Sequence, residues 1–449
     1  MQHDVNGLAV ALPDAARAAD WNEVQRGFLA HAASTAAALE RVLAAAPDFA
    51  LGHAARGLFL LLLARRELLP EAWACLRRAR AGVADARAGH HIRALRAALG
   101  GRLRAAADIL DDALAIWPTD ALAMKLVQAL RFMAGDRAGM RASLESIAPQ
   151  WQDHPLRGYL MGCMAFALEE AGDWRRAEAL GREGLALAPD DAWGLHAVAH
   201  VMDMTGRPGD GIAWLGAQPE RWAHCNNFGY HVWWHLALFH LDSGARDAAL
   251  ALYDRRVRPE PTDDFRDIAN AASLLMRFEI EGVPTGRRWE ELADLAARRI
   301  DDGMLVFADL HYLLALLRAG RAAEADALVA RIARDAASPG GHEQHEVAAL
   351  AGLPLARGLK LFRDGAFGAA LRQLRAGLAR QQALGGSHAQ RDLFWRLTVE
   401  AALRAGDVTA AAALLAERGL ARGSADPYTR RCMARIAARR RALAGVAAA

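Results

Sequence analysis

Four histidines form two pairs that have the spacing of metal ligands. The segment HAVAH contains His196 and His200, and the segment HVWWH contains His231 and His235. Residues four apart on a helix lie one turn apart on the same face, and paired imidazoles are ligands of zinc, iron and copper. Neither pair has the H-E-x-x-H form that supplies the base of a metalloprotease. The spacing leaves three alternatives: hydrogen bonding inside a packed helical seam, contact with a ligand, or binding of a divalent transition metal such as Zn or Fe.

Further polar residues occur in segments that follow these pairs. Asp267, Asn270 and Arg277 are three and seven residues apart, so they share one face of a helix. His311 lies near the start of another helical segment, and the glycines of GGSHAQRD would free backbone N–H groups for an anion. A solvated face, a capping histidine and an ordinary helix entry are the structural alternatives. Besides the four paired histidines, the candidates are Asp267 and His311 for acid–base catalysis, and Trp234, Asn270, Arg277, Gln390, Arg391 and Asp392 for ligand binding.

A repeat of about 34 residues predicts the scaffold that holds these side chains. The segments GRLRAAADILDDALAIWPTD, from Gly101, and GDWRRAEALGREGLALAPDD, from Gly172, share a glycine, an alanine five residues later and a proline near the end. The alanine lets two helices approach closely, and the proline falls where the second helix must stop. This is the period of the tetratricopeptide repeat, in which each helix–turn–helix unit stacks on its neighbours.

The predicted fold is therefore all-α, an α-solenoid of tetratricopeptide-like repeats that forms a right-handed superhelix. No segment shows the apolar–polar alternation of a strand. The repeat becomes irregular near residues 255–310 and 380–395. We expect one helical repeat domain over residues 1–449, with N-terminal helices in 1–95, regular repeats in 96–254 and less regular repeats in 255–449. In this register His196, His200 and His231 face the concave groove, whereas His235 turns toward the seam between helices. The residues expected to line one cavity, closed by the segment 385–392, are His196, His200, His231, Asp267, Arg277 and His311.

Composition and charge exclude several classes of protein. The formal net charge is only +3 and acids and bases are interleaved, so nothing indicates a nucleic-acid interface. The four cysteines are scattered singly, which argues against a disulfide framework and favours a reducing cytoplasm. The longest apolar run, residues 57–64, is too short for a bilayer, and the N-terminus lacks the pattern of a secretory signal. We expect a cytoplasmic protein with no membrane partner.

Several phrases along nearly the whole chain resemble the tetratricopeptide repeat protein 38 family. They include FALGHAARGL, DAWGLHAVAH, HVWWHLAL, ASLLMRFEIEGVPTGRRW, DLHYLLA and LGGSHAQRDLF. The resemblance implies a helical repeat fold and leaves the function open. His388 stands where relatives can carry asparagine, which makes it a poor candidate for an obligatory ligand. The family-typical positions that the resemblance implies are His196, His200, His231, His235, Asp254, Asp267, Arg277, Trp289, His311 and the segment 385–392.

The function expected from the sequence is binding of a small polar molecule or peptide in a concave pocket lined by His, Trp, Asp and Arg. One alternative is an enzyme whose active site lies inside the solenoid and uses acid–base or metal-assisted chemistry. The other alternative is a purely structural adaptor. A nucleic-acid partner is not expected, and a homo-oligomer is left open.

Overall fold

A computed structural model describes residues 2–83, 85–338, 340–424 and 426–448, with side chains to residue 442. The described residues are almost entirely helical, which confirms the all-α prediction. They pack as two compact units. The first comprises residues 1–198, 218–229 and 340–344, and the second comprises 199–217, 230–339 and 345–449. These units describe how the helices pack, and they do not test where the repeats are regular. The single domain with divisions at residues 95 and 254 therefore stays a prediction.

The first unit is built mainly from antiparallel helix pairs. It also contains three short 3₁₀ turns, Arg66–Leu68, Ala148–Trp151 and Pro219–Trp222. The helices are α1 (Ala15–Ala30), α2 (Thr35–Ala45), α3 (Ala50–Leu61), α4 (Leu69–Ala81), α5 (Ala86–Leu99), α6 (Leu103–Ile116), α7 (Ala121–Met133), α8 (Arg137–Ile147), α9 (Arg157–Glu170), α10 (Trp174–Leu187) and the first part of α11 (Ala192–Met204).

The second unit begins within α11 and carries most of the predicted site. Its remaining helices are α12 (Pro208–Gly216), α13 (Phe228–Asp242), α14 (Arg246–Leu252), α15 (Phe265–Ile280), α16 (Arg288–Ala297), α17 (Val306–Arg318), α18 (Ala322–Ala336), α19 (Glu343–Val347), α20 (Leu353–Arg363), α21 (Phe367–Leu378), α22 (His388–Ala405), α23 (Val408–Arg422) and α24 (Pro427–Ala448). The first residues of α13 and α19 belong to the first unit.

The turn between the helices of a repeat follows from the glycine that the sequence repeats. After α7, Gly135 adopts a φ of 68°, and the N–H of Asp136 donates to the carbonyl of Arg131 at 2.9 Å. This six-to-one bond is the usual way to end a helix on a left-handed glycine. The Asp136 side chain then accepts the N–H of Gly139 and caps α8. The same backbone bond follows Gly101, Gly172 and Gly206, which confirms the helix–turn–helix repeat.

Small residues set the spacing of the paired helices, as the repeat predicts. Ala106 and Ala177 are completely buried. Where α9 crosses α10, a Cβ atom on Gly158 would lie 2.8 Å from the carbonyl oxygen of Gly184. That is closer than van der Waals contact allows, so the two backbones meet only because the position lacks a side chain.

Two local departures from regular helix lie where the repeat pattern weakens. A π-helical turn covers Tyr253–Val257, and a 3₁₀ turn covers Gln381–Leu384 before two glycines with φ of 73°. These positions confirm the predicted irregularity near residues 255 and 380. Within the described residues, none of the helices combines the length and apolar character that crossing a bilayer requires.

The expectation of no strands is wrong at the N-terminus. Two-residue strands β1 (Gln2–His3) and β2 (Ala9–Val10) form an antiparallel hairpin. Asp4 organises its turn, because one carboxylate oxygen accepts the backbone N–H groups of Asn6 and Leu8. The same side chain forms a buried ion pair with Arg87 at 2.8 Å. Strands of two residues are too short to produce an alternating apolar–polar pattern in the sequence. The contacts of Asp4 hold the hairpin in place instead.

Candidate functional site

Three of the four paired histidines meet inside the second unit. Helix α13 contributes His231 and His235 from successive turns, and their Nε2 atoms are 3.3 Å apart. Helix α11 contributes His200, whose ring centroid is 4.4 Å from that of His235. Each of the three offers a ring nitrogen within 4.8 Å of those of the other two. His200 and His235 are fully buried, while His231 is partly exposed. We call these three residues the histidine cluster.

Asn270 on α15 fixes the orientation of one ring. Its Oδ1 atom lies 3.2 Å from Nδ1 of His231. An amide oxygen only accepts hydrogen bonds, so Nδ1 of His231 must carry the proton. The lone pair of the neutral ring is then on Nε2, the atom that faces His235. Asn270 thereby selects the tautomer that presents a ligand nitrogen to the histidine cluster.

Burial favours the neutral form of two of these histidines, His231 and His235. Desolvation lowers the pKa of His231 to about 4, although the hydrogen bond that His231 donates to Asn270 opposes this shift. Desolvation also lowers the pKa of His235 well below its usual value, and repulsion from His200 and His231 adds to this effect. Neutral imidazole is the form that binds metals.

Trp234 and Arg277 form one wall beside the histidine cluster. The Trp234 ring stacks on His231 at 5.3 Å and meets His235 edge-on at 4.8 Å. The guanidinium of Arg277 lies 5.6 Å from the Trp234 ring centroid. It donates to the carbonyl and hydroxyl oxygens of Ser273 and to the carbonyl of Ala389. Burial, followed by repulsion from Arg396, lowers the pKa of Arg277 to about 9.

The other two predicted acid–base residues have local partners. Asp267, in the first turn of α15, accepts a hydrogen bond from Thr262, and burial together with the charge of Asp264 raises its pKa to about 6. His311 on α17 donates from Nδ1 to the carbonyl of Phe307 at 2.8 Å, and burial lowers its pKa to about 4. Catalytic roles for both stay predictions.

The segment 385–392 has clear structural contacts in the second unit. Ser387 and Gln390 form a reciprocal capping box at the start of α22. Arg391 donates to the carbonyls of Gly385 and Gly386, and Asp392 accepts from two buried arginines. Ligand roles for Gln390, Arg391 and Asp392 stay predictions. A small, partly open cleft with a volume of about 20 Å³ lies beside them, lined by Met204, Gln381, His388, Arg391, Asp392, Trp395, Arg418, Ala421 and Arg422.

His196 belongs to the first unit and lies among aromatic rings there. It stacks on Phe166 at 5.7 Å and lies 5.2 Å from both Trp193 and Phe228, measured between ring centroids. Along the chain it precedes His200 by one turn of α11. It therefore remains a sequence-based candidate for a further ligand.

The first unit also contains a buried charged group that the sequence analysis missed. Lys125 lies 4.7 Å from the ring centroid of Trp193 and 3.9 Å from the sulfur of Cys163. Burial raises the pKa of nearby Asp191 to about 7, although the charge of Lys125 opposes this. One signal was present in the sequence. Lys125 and Lys360 are the only lysines in a chain whose other basic residues are arginines or histidines.

Comparisons with known proteins find only distant structural similarities. No family model matches the chain. Among solved structures it is similar to the human IFIT1 dimer with PPP-AAAA, with 14% identity over 98% of this chain and 96% of that chain and a TM-score of 0.42. It is also similar to yeast Tom70, with 12% identity over 94% of this chain and 87% of that chain and a TM-score of 0.35. No function is transferred from either structure.

Proposed function

We propose that this chain is a helical repeat metalloprotein that binds a divalent transition metal, Zn²⁺ or Fe²⁺, through His200, His231 and His235. The observation that carries the proposal is the 3.3 Å separation of the Nε2 atoms of His231 and His235. Two imidazoles that bind zinc at about 2.0–2.1 Å in tetrahedral geometry have their nitrogens about 3.3–3.4 Å apart. The two rings are therefore already spaced as ligands of one ion.

The surroundings of the histidine cluster support the same assignment. Metal-binding histidines generally hold their second ring nitrogen with a hydrogen bond, and Asn270 does this for His231. Burial lowers the pKa of His231 and of His235, and so favours the neutral form that binds metals. Two of the three ligands come from one turn of a helix, and such a pair requires little reorganisation.

A set of neutral imidazoles favours a metal that binds or polarises a small polar molecule. No carboxylate in the proposed ligand set reduces the charge of the ion, so the ion keeps its strength as a Lewis acid. This observation supports a second candidate function, an enzyme that uses a metal-bound water for hydrolysis. Metal-dependent binding and metal-dependent hydrolysis both act on a small molecule, as the sequence predicts. Either function argues against a purely structural adaptor.

We also propose the family and the cellular compartment that the sequence predicts. The histidine segments are among the phrases that resemble the tetratricopeptide repeat protein 38 family, so the metal site would be a family feature. The four free thiols suit a reducing compartment such as the cytoplasm.

Metal analysis tests the proposal directly. Protein purified without chelator is analysed for Zn and Fe, and metal-free protein is titrated with Zn²⁺ and Fe²⁺ under anaerobic conditions. We expect about one ion per chain, and we expect His200→Ala and His235→Ala to lose it while keeping their helical circular dichroism. Asn270→Ala should weaken metal affinity by about 10–100-fold, because it releases the ring of His231.

The matched control is His240→Ala, on the same helix α13 but outside the histidine cluster. It should bind metal as the unmodified chain does. The proposal is overturned if the unmodified chain takes up neither ion, or if His235→Ala binds as tightly as His240→Ala.

A further inference from the structure

We propose that the ligand of the histidine cluster is a small oxyanion, a carboxylate or a phosphate, held by Arg277, Asn270 and Trp234. This inference deepens the proposed function and rests on it for the metal. Its own evidence has two parts. Several buried hydrogen-bond donors lack an acceptor among the described residues, and one buried cation lacks an ion-pair partner there.

Arg277 is a buried cation with no carboxylate in ion-pair contact among the described residues. Its side chain is 1% exposed. Its Nη atoms donate to neutral oxygens of Ser273 and Ala389, and its Nε has no hydrogen-bond partner in the described structure. Asp392, Asp242 and Asp203 act on it only from a distance. Buried guanidinium groups usually pair with an anion, so the missing partner is expected to be a ligand.

Two more unmatched donors lie on residues that contact the histidine cluster. Asn270 uses Oδ1 to accept from His231, and its Nδ2 has no partner among the described residues. The indole Nε1 of Trp234 is likewise without one. Both side chains are at least 99% buried. Buried donors are almost always satisfied in folded proteins. A ligand rich in acceptor oxygens would satisfy these donors together with Nε of Arg277.

The charge balance points to the same class of ligand. Arg277 contacts only neutral oxygens among the described residues, and the side chains of Asn270 and Trp234 carry no charge. A divalent ion bound to the histidine cluster would add positive charge near Arg277. Uncompensated charge of this kind is costly. An oxyanion that binds the metal through one oxygen and Arg277 through another compensates both charges at once.

Calorimetry with defined anions tests the inference on the full-length chain. Sodium acetate and sodium phosphate are titrated into Zn²⁺-loaded and metal-free protein at constant ionic strength, with sodium chloride as the reference. We expect saturable binding of acetate or phosphate, and none of chloride at equal concentration. Acetate binding alone identifies a carboxylate ligand, and phosphate binding alone identifies a phosphate ligand.

The decisive variant is Asn270→Asp. It keeps an acceptor oxygen for His231, so metal binding should persist, but it replaces the Nδ2 donor with a negative oxygen. We expect at least a tenfold loss of anion affinity with metal content unchanged. Arg277→Met should cause a similar loss. The exposed Arg287→Met is the control, and it should bind the anion normally.

The outcomes separate this inference from the proposed function. Protein that binds Zn²⁺ but neither anion overturns the oxyanion inference and leaves the metal proposal standing. Protein that binds an anion but no metal overturns the metal proposal, while the donor site stands. An Asn270→Asp variant that keeps both its metal and its full anion affinity overturns the assignment of the donors.

Discussion

Replacing Asp392 with asparagine should destabilise the second unit strongly. Asp392 is buried and accepts from Nε of Arg396 at 2.8 Å and from Nε and Nη2 of Arg418 at 2.6 and 3.0 Å. Arg422 lies 3.9 Å away. Burial raises the pKa of Asp392, but the charges of Arg418 and Arg396 outweigh burial and hold that pKa well below its usual range. The ionised carboxylate is therefore part of the folded state.

The structure also limits the size of the effect. Removing one partner of a buried ion pair costs about 3–5 kcal/mol. In Asp392→Asn, Arg396 keeps Asp242 and Arg418 keeps Asp426. Because each guanidinium retains one carboxylate, we expect the free energy of unfolding to fall by about 3 kcal/mol, near the lower end of that range. For a unit of this size, that corresponds to a decrease of roughly 6–12 °C in Tm.

Urea titration and differential scanning calorimetry measure the loss of stability. The control is Glu417→Gln, which breaks the exposed 3.4 Å pair with Arg375 and should change stability by at most about 1 kcal/mol. The stabilisation by Asp392 is complete above the unfolded pKa of about 4 and is lost as the pH falls below it. The variant should therefore show a weaker acid dependence than the unmodified chain. If Asp392→Asn has the same melting temperature as Glu417→Gln, the ion network does not stabilise the unit. The ligand role predicted from the sequence then gains support.

Two further predictions concern the first unit. The raised pKa of Asp191, about 7, means that folding favours its protonated form. Its contribution is complete below about pH 4 and is lost as the pH rises through 7, so the stability of the unmodified chain relative to Asp191→Asn should fall over that interval by up to about 4 kcal/mol. A pH-independent difference would contradict this assignment. Leu110→Ala on α6 removes a fully buried side chain and should cost about 2–5 kcal/mol in urea unfolding. The exposed Asp112→Ala should stay within about 0.5 kcal/mol of the unmodified chain, and an equal effect of the two would refute the packing argument.

The helices were predictable because their signals are local. The glycine that ends α7 and the aspartate that caps α8 are adjacent in the chain, and the buried Ala106 lies at a fixed distance from its glycine. A repeat encodes the same local solution many times, so its period is visible without tertiary information. The spacing of His231 and His235 on one turn follows from the same helical geometry.

Partners that are distant in sequence could not be predicted, because no local rule brings them together. His231 contacts Asn270 on another helix, and Arg277 donates to the carbonyl of Ala389, 112 residues away. Whether a polar side chain is buried and which charges surround it depend on the packing of whole helices, and these determine its pKa and its role. Asp392 illustrates the difference. The sequence predicts a ligand-binding role for it, which stays a prediction, and only the packing of the helices shows that arginines surround it. The sequence alone therefore determined the helices and their repeat, whereas tertiary packing determined which polar residues meet and which charges surround each of them.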